Sequence, residues 1–160
     1  MFTFLERFAW FRPDPKSRGR ALQALARGDY PGAERELGEA LAVADTPAER
    51  TFLLNKRGVA RVALGRKDDA LDDFRAALLG DPWFAPALTN IGNILFEAGD
   101  VDAATAQYEA AVRADDYYAL AHLNLGIAYK HAGRIAEGVR ELRRANRLEL
   151  PFRWGLRKRS

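Results

Sequence analysis

The sequence predicts an all-α fold, an array of about four antiparallel helix hairpins, and three observations carry that prediction. First, Gly28, Gly65, Gly99 and Gly133 fall 37, 34 and 34 residues apart. Second, the same residue sizes recur behind each glycine. Five positions on stand Ala33, Ala70, Ala104 and Gly138; nine on, Leu37, Phe74, Tyr108 and Leu142; twelve on, Ala40, Ala77, Ala111 and Ala145. A period in this range is the mark of stacked structural units that share one continuous core. Third, the 160 residues are 48% hydrophobic and 29% charged, the balance of a folded chain and not of a disordered one.

The elements follow in order. Pro13 and Pro15 separate an N-terminal segment from a first helix near 16–27, which Gly28 stops by adopting a left-handed backbone. Asp29 then supplies an N-cap for a helix near 30–43. The second hairpin has helices near 48–64 and 67–79, separated by Gly65 and closed by Asp81-Pro82, since proline cannot continue a helix. Asp68, Asp69, Asp72 and Asp73 open its second helix, where negative charge suits the positive end of the macrodipole; cation binding is the other use of such a cluster. The third hairpin has helices near 85–98 and 101–114, with Gly99 as the stop and Asp100 as the cap. The fourth has helices near 119–132 and 135–148 around Gly133. Gly58, Gly92 and Gly126, with Ala21 in the first hairpin, lie seven residues before each turn glycine. These small residues let paired helices approach, and the large residue of the second helix fills the space between pairs.

The stretch "APALTNIGNILFEAGDVDAATAQYEAAVRADD" from Ala85 and "ALAHLNLGIAYKHAGRIAEGVRELRRANRLEL" from Ala119 carry this pattern in full. In these residues the chain resembles the tetratricopeptide repeat family. The resemblance implies a right-handed superhelical array with repeats at about 14–47, 51–84, 85–118 and 119–150. An aromatic N-terminal segment, 1–13, precedes the array, and a basic tail, 151–160, follows it. Four positions depart from the family pattern. His122 stands at a large apolar position, Arg57 and Arg61 replace inward apolar residues, and Gly138 replaces a core alanine. Glycine inside a helix costs about 1 kcal/mol relative to alanine, so the last repeat is expected to be looser unless its neighbours fill the gap.

In this family the first helix of each repeat lines a concave groove. The resemblance therefore implies a peptide-binding surface at Asn55, Lys56, Val59, Asn90, Asn93, Phe96, Asn124, Ile127, Lys130 and His131. Asn90 and Asn124 lie one repeat apart and are expected to form a short ladder. An asparagine amide both donates and accepts, which suits an extended peptide backbone. Lys56 and Lys130 can meet acidic groups. Asparagine at such positions also serves helix packing, and that reading stands beside the first.

No chemistry competes with a binding role. The chain has no cysteine, so thiol catalysis, disulfides and thiolate metal sites are excluded. Its two histidines, His122 and His131, lie nine residues apart with no carboxylate at ligand spacing. The two serines are Ser17 and Ser160, too few and too far apart for an activated nucleophile. No phosphate-binding loop or zinc-protease motif occurs. A non-catalytic protein is expected, with no cofactor and no metal.

The ends bear on partners. Phe2, Phe4, Phe8, Trp10 and Phe11 crowd five of seventeen aromatic residues into the first eleven positions. Exposed, such a patch would be a liability. It can cap the open edge of the array, dock on a partner or second copy, or lie in a membrane interface beside Arg12, Lys16, Arg18 and Arg20. Residues 1–20 carry a net +3, residues 140–160 a net +6, and the body between them −6. Basic ends suit an anionic surface or protein, whereas the acidic body argues against a nucleic-acid path. The expected function is an adaptor that binds a protein or peptide partner in its groove. The alternative is a membrane-peripheral or self-assembling scaffold that forms homo-oligomers. No run of eighteen apolar residues and no secretion signal is evident, and a cytoplasmic location is expected, membrane-peripheral under the alternative.

Overall fold

The computed structural model describes residues 16–155, with side chains through residue 148. Among these residues there are eight α-helices and no strand. They are α1 (Ser17–Ala26), α2 (Tyr30–Ala42), α3 (Pro47–Ala63), α4 (Lys67–Gly80), α5 (Ala85–Glu97), α6 (Val101–Ala114), α7 (Ala119–His131) and α8 (Ile135–Gly155). The helices fall where the repeat pattern puts them. One end differs: α8 runs on to Gly155, through the first residues of the stretch read as a tail. The aromatic segment 1–13 and the last five residues lie outside the described residues.

The turn inside each hairpin is the same device four times. Gly28, Gly65, Gly99 and Gly133 have φ of 73°, 77°, 86° and 77°, the left-handed region that a Cβ disfavours. The residue after each glycine donates its N–H back across the turn, for example Asp29 to the Ala24 carbonyl at 2.9 Å and Arg134 to the Tyr129 carbonyl at 2.8 Å. This is the Schellman closure, which satisfies carbonyls that the helix end leaves without partners. In the first and third hairpins the next helix then starts on a capping aspartate. Asp29 accepts from the Gly32 N–H at 2.9 Å, and Asp100 from the Ala103 N–H at 3.0 Å. Between hairpins, Asp81 accepts from the Trp83 N–H at 3.0 Å and Asp115 from the Tyr117 N–H at 2.9 Å.

The chain divides into two compact units within α4, the first ending at Asp73 and the second starting at Phe74. In the first, Ala21, Ala24, Ala33, Leu37, Ala40, Leu41, Leu53 and Ala60 form one buried cluster from α1, α2 and α3. Small residues dominate it because the helices pack closely; Leu37 and Leu53 supply the bulk, each contributing about 1.5–3 kcal/mol on burial. Arg57 and Arg61, the two departures from the apolar pattern, are matched by a carboxylate. Arg57 makes a two-pronged pair with Asp73 at 2.6 and 3.0 Å, and Arg61 donates to the same carboxylate at 2.9 Å. Arg61 also reaches Glu34 of α2 at 2.8 Å, which Arg66 holds from the other side at 2.8 Å. Asp73 is only 3% exposed. A charge at that depth persists because it is paired and fully hydrogen-bonded. The acidic cluster is thus divided in its work: Asp68 and Asp69 sit in the first turn of α4, while Asp73 anchors two arginines.

In the second unit, Ala104, Tyr108, Leu125, Ala128 and Tyr129 form one buried cluster, and Ala85, Leu88, Ala111 and Ala121 another. Gly138 does not loosen the last hairpin. A Cβ there would sit 2.7 Å from the Gly126 carbonyl oxygen and 2.6 Å from Lys130 Cγ. At Gly126 a Cβ would meet Leu142 Cγ at 2.8 Å. The backbones of α7 and α8 approach so closely at this pair of glycines that the expected alanine would not fit. His122 is fully buried at the apolar position. Its Nδ1 lies 2.7 Å from a Glu141 carboxylate oxygen and its Nε2 3.1 Å from the Asp116 carbonyl, so both polar atoms have partners.

Candidate functional site

Of the ten residues expected to face the groove, Asn55, Lys56 and Val59 belong to the first unit and the other seven to the second. In the first unit Asn55 is buried, the Lys56 ammonium lies 5.3 Å over the Phe52 ring, and Val59 is exposed. In the second unit Asn93 and Phe96 of α5 meet Asn124 and Ile127 of α7. Together with Glu97 and Tyr108 they line an open cavity of about 180 Å³. Ile127 continues into a second hollow of about 380 Å³ that it shares with Lys130, His131 and Leu142. His131 stands edge-on to Phe96, with ring centres 5.1 Å apart and planes at 85°. Asn90 is half-buried one turn before the cavity.

The amides of the site are held in one arrangement. Asn93 Oδ1 accepts two hydrogen bonds, from the Tyr108 hydroxyl at 2.9 Å and from Asn124 Nδ2 at 2.7 Å. Asn124 therefore bonds across to Asn93. With the Asn93 carbonyl committed twice, its two N–H donors and the Asn124 carbonyl have no partner among the described residues. A network of this kind fixes side-chain orientation before a ligand arrives, which lowers the ordering cost of binding.

Tyr108 is the residue that sequence reasoning placed in the core without seeing its second role. It comes from α6, the outer helix of its hairpin, and it reaches the cavity beside Gly92. A Cβ at Gly92 would lie 2.6 Å from Tyr108 Cε1, so only glycine leaves room for the ring. Burial, reinforced by the Glu97 carboxylate, pushes the phenol up to about 12. The hydroxyl therefore stays protonated, and a donor, at every physiological pH. The signal was present in the repeat: the equivalent positions carry Leu37, Phe74 and Leu142, so Tyr108 alone adds a polar atom there.

The site holds apolar surface, amides and a basic edge. Among the described residues, no group of three acidic or histidine side chains could hold a metal ion, and no helix is long and apolar enough to cross a membrane.

Comparison with known proteins bears on this geometry. A family model described as "Tetratricopeptide repeat" matches residues 18–86, and one described as "TPR repeat" matches 92–133, together more than half of the chain. The chain is 38% identical over 80 residues to the tetratricopeptide repeat and J domain-containing co-chaperone DNJ1 of Cryptococcus neoformans var. grubii, covering 50% of this chain and 15% of that protein. It is 36% identical over 87 residues to human tetratricopeptide repeat protein 6, covering 52% of this chain and 16% of that one. The chain thus spans a small fraction of the length of these relatives. Among solved structures, MamA superposes with a TM-score of 0.71 at 18% identity, over 92% of this chain and 85% of its own. The Sgt2 repeat domain from Aspergillus fumigatus gives 0.65 at 24% identity, over 79% and 85%. The second repeat domain of Spaghetti (RPAP3), solved with the HSP90 peptide SRMEEVD, gives 0.58 at 18% identity, over 62% and 93%. At these identities the structures share the fold.

Proposed function

Since the chain belongs to the tetratricopeptide repeat family, we propose that it is a non-catalytic adaptor that binds a protein partner by holding an extended segment of it on the α5–α7 face of the second unit. The observation that carries this reading is the cavity between Asn93, Phe96, Asn124 and Ile127, with its preset amides. Apolar walls supply affinity, and a few fixed polar groups supply orientation, which is the composition of a recognition site. The unspent N–H groups of Asn93 and the unspent carbonyl of Asn124 match the acceptor and donor of a peptide unit, and an extended strand presents both at regular intervals. The repeat-containing relatives named as a co-chaperone and solved with an HSP90 peptide support a protein-binding role of this general kind.

The test uses two arginine substitutions in the full chain. Ile127 lines the cavity and is 39% exposed; Leu79, in the same unit, is 88% exposed and lines neither hollow. Proteins retained by the immobilised wild-type chain should be lost on Ile127→Arg and kept on Leu79→Arg. The reverse pattern would move the binding surface away from the groove.

A further inference from the structure

The two hollows of the second unit differ in chemistry, and their difference defines a ligand. The first has Phe96 and Ile127 as apolar walls and is about 180 Å³, somewhat larger than the roughly 150 Å³ cavity that accepts a benzene ring. It suits one phenyl or branched aliphatic side chain. The second adjoins it through Ile127 and carries Lys130 and His131, both exposed, at the last turn of α7. The C-terminal end of a helix is itself negative, so basic side chains are stable there and remain available to an anion. Glu97 also lines the first hollow.

We infer that this face selects an internal peptide segment in which an apolar side chain, seated between Phe96 and Ile127, lies within two positions of an acidic residue that meets Lys130 and His131. The inference rests on the groove reading above and adds the chemistry of the partner. The amide arrangement agrees with it. Both lone pairs of the Asn93 carbonyl are occupied, by Tyr108 and Asn124, so Asn93 presents donors alone. The Asn93 donors and the cations beyond them suit a backbone carbonyl and then a carboxylate, while the Asn124 carbonyl takes a backbone N–H. The Lys130 stem packs against α8 at Gly138, 2.6 Å from where a Cβ there would fall, and the residue lines the second hollow.

A display library of random heptapeptides, fused at both ends so that no terminal carboxylate is offered, tests this on the full chain. The selected consensus should pair Leu, Ile or Phe with Asp or Glu within two positions. Binding of the selected peptides should fall about tenfold or more on Ile127→Arg. Lys130→Glu combined with His131→Ala should shift the selected charge from acidic to basic. If selected peptides lose binding on Ile127→Arg but show no acidic preference, the groove reading stands and the partner chemistry is wrong. If they bind Ile127→Arg undiminished, or if the library yields no binder, both are overturned.

Discussion

Gly138→Ala should destabilise the protein, although alanine is the residue the repeat pattern expects there. Two effects oppose one another. Alanine is the better helix former by about 1 kcal/mol. Against that, the new methyl would lie 2.6 Å from Lys130 Cγ, 2.7 Å from the Gly126 carbonyl oxygen and 3.2 Å from the Lys130 amide nitrogen. Lys130 Cγ can move, because it belongs to an exposed side chain. The carbonyl oxygen and the amide nitrogen cannot move unless α7 does. Relief requires α7 and α8 to separate, which costs the contact of Gly126 with Leu142 across the same crossing. Overpacking of this kind costs about 1–3 kcal/mol, so after the helix gain the net effect is a loss of up to about 2 kcal/mol. Gly38 provides the control. It lies inside α2, and a Cβ there meets nothing within 4 Å. Gly38→Ala should therefore stabilise, by up to about 1 kcal/mol. Urea unfolding followed by helical circular dichroism would give midpoints of opposite displacement at unchanged slope. A Gly138→Ala midpoint equal to or above wild type would refute the close α7–α8 crossing.

Three further outcomes are expected. Asp73→Asn should cost about 3 kcal/mol, because Arg57 and Arg61 would keep their charges, mostly shielded from solvent, without their shared carboxylate; Asp68→Asn in the exposed first turn should cost less than about 1 kcal/mol in the same urea assay. Tyr108→Phe should cost about 1 kcal/mol at neutral pH from the lost bond to Asn93. The same substitution should flatten the alkaline limb of stability. The folded phenol titrates near 12 and the unfolded one near 10, so the unfolded state binds fewer protons between those values and stability falls as pH rises through them. Unfolding midpoints measured across that window should fall less steeply in Tyr108→Phe than in wild type, and equal slopes would assign the effect to other groups.

The architecture was legible because each repeat spells out its own turn. A glycine with positive φ and a set of small residues at fixed distances, joined in the first and third repeats by a capping aspartate, are local requirements, and local requirements are written in consecutive residues. The exceptions are those set by partners distant in sequence. Arg57 and Arg61 looked like flaws in an apolar pattern until Glu34 and Asp73 were found beside them, since a pairing between α2, α3 and α4 leaves no mark on any one helix. Gly138 looked like a weak helix position for the same reason: the Gly126 backbone that forbids a methyl there belongs to α7. Glu109 of α6 is likewise half-buried and accepts from the Tyr129 hydroxyl of α7 at 2.8 Å. In the candidate site, sequence position indicated which residues could share a face. It did not indicate that Asn124 bonds to Asn93, or that Tyr108 reaches in from the outer helix to bond the same Asn93 oxygen, because hydrogen-bond partners depend on helix rotation and side-chain length together.

Site-specific photo-crosslinking tests the binding claim most directly. Benzoylphenylalanine placed at position 127 reports contact within the α5–α7 groove, and the same residue placed at position 79 reports contact on an exposed face outside it. Irradiation of the full chain with its cellular partners should give covalent adducts from position 127, with few or none from position 79. Adducts from position 79 alone would contradict the account and place the binding surface outside the groove.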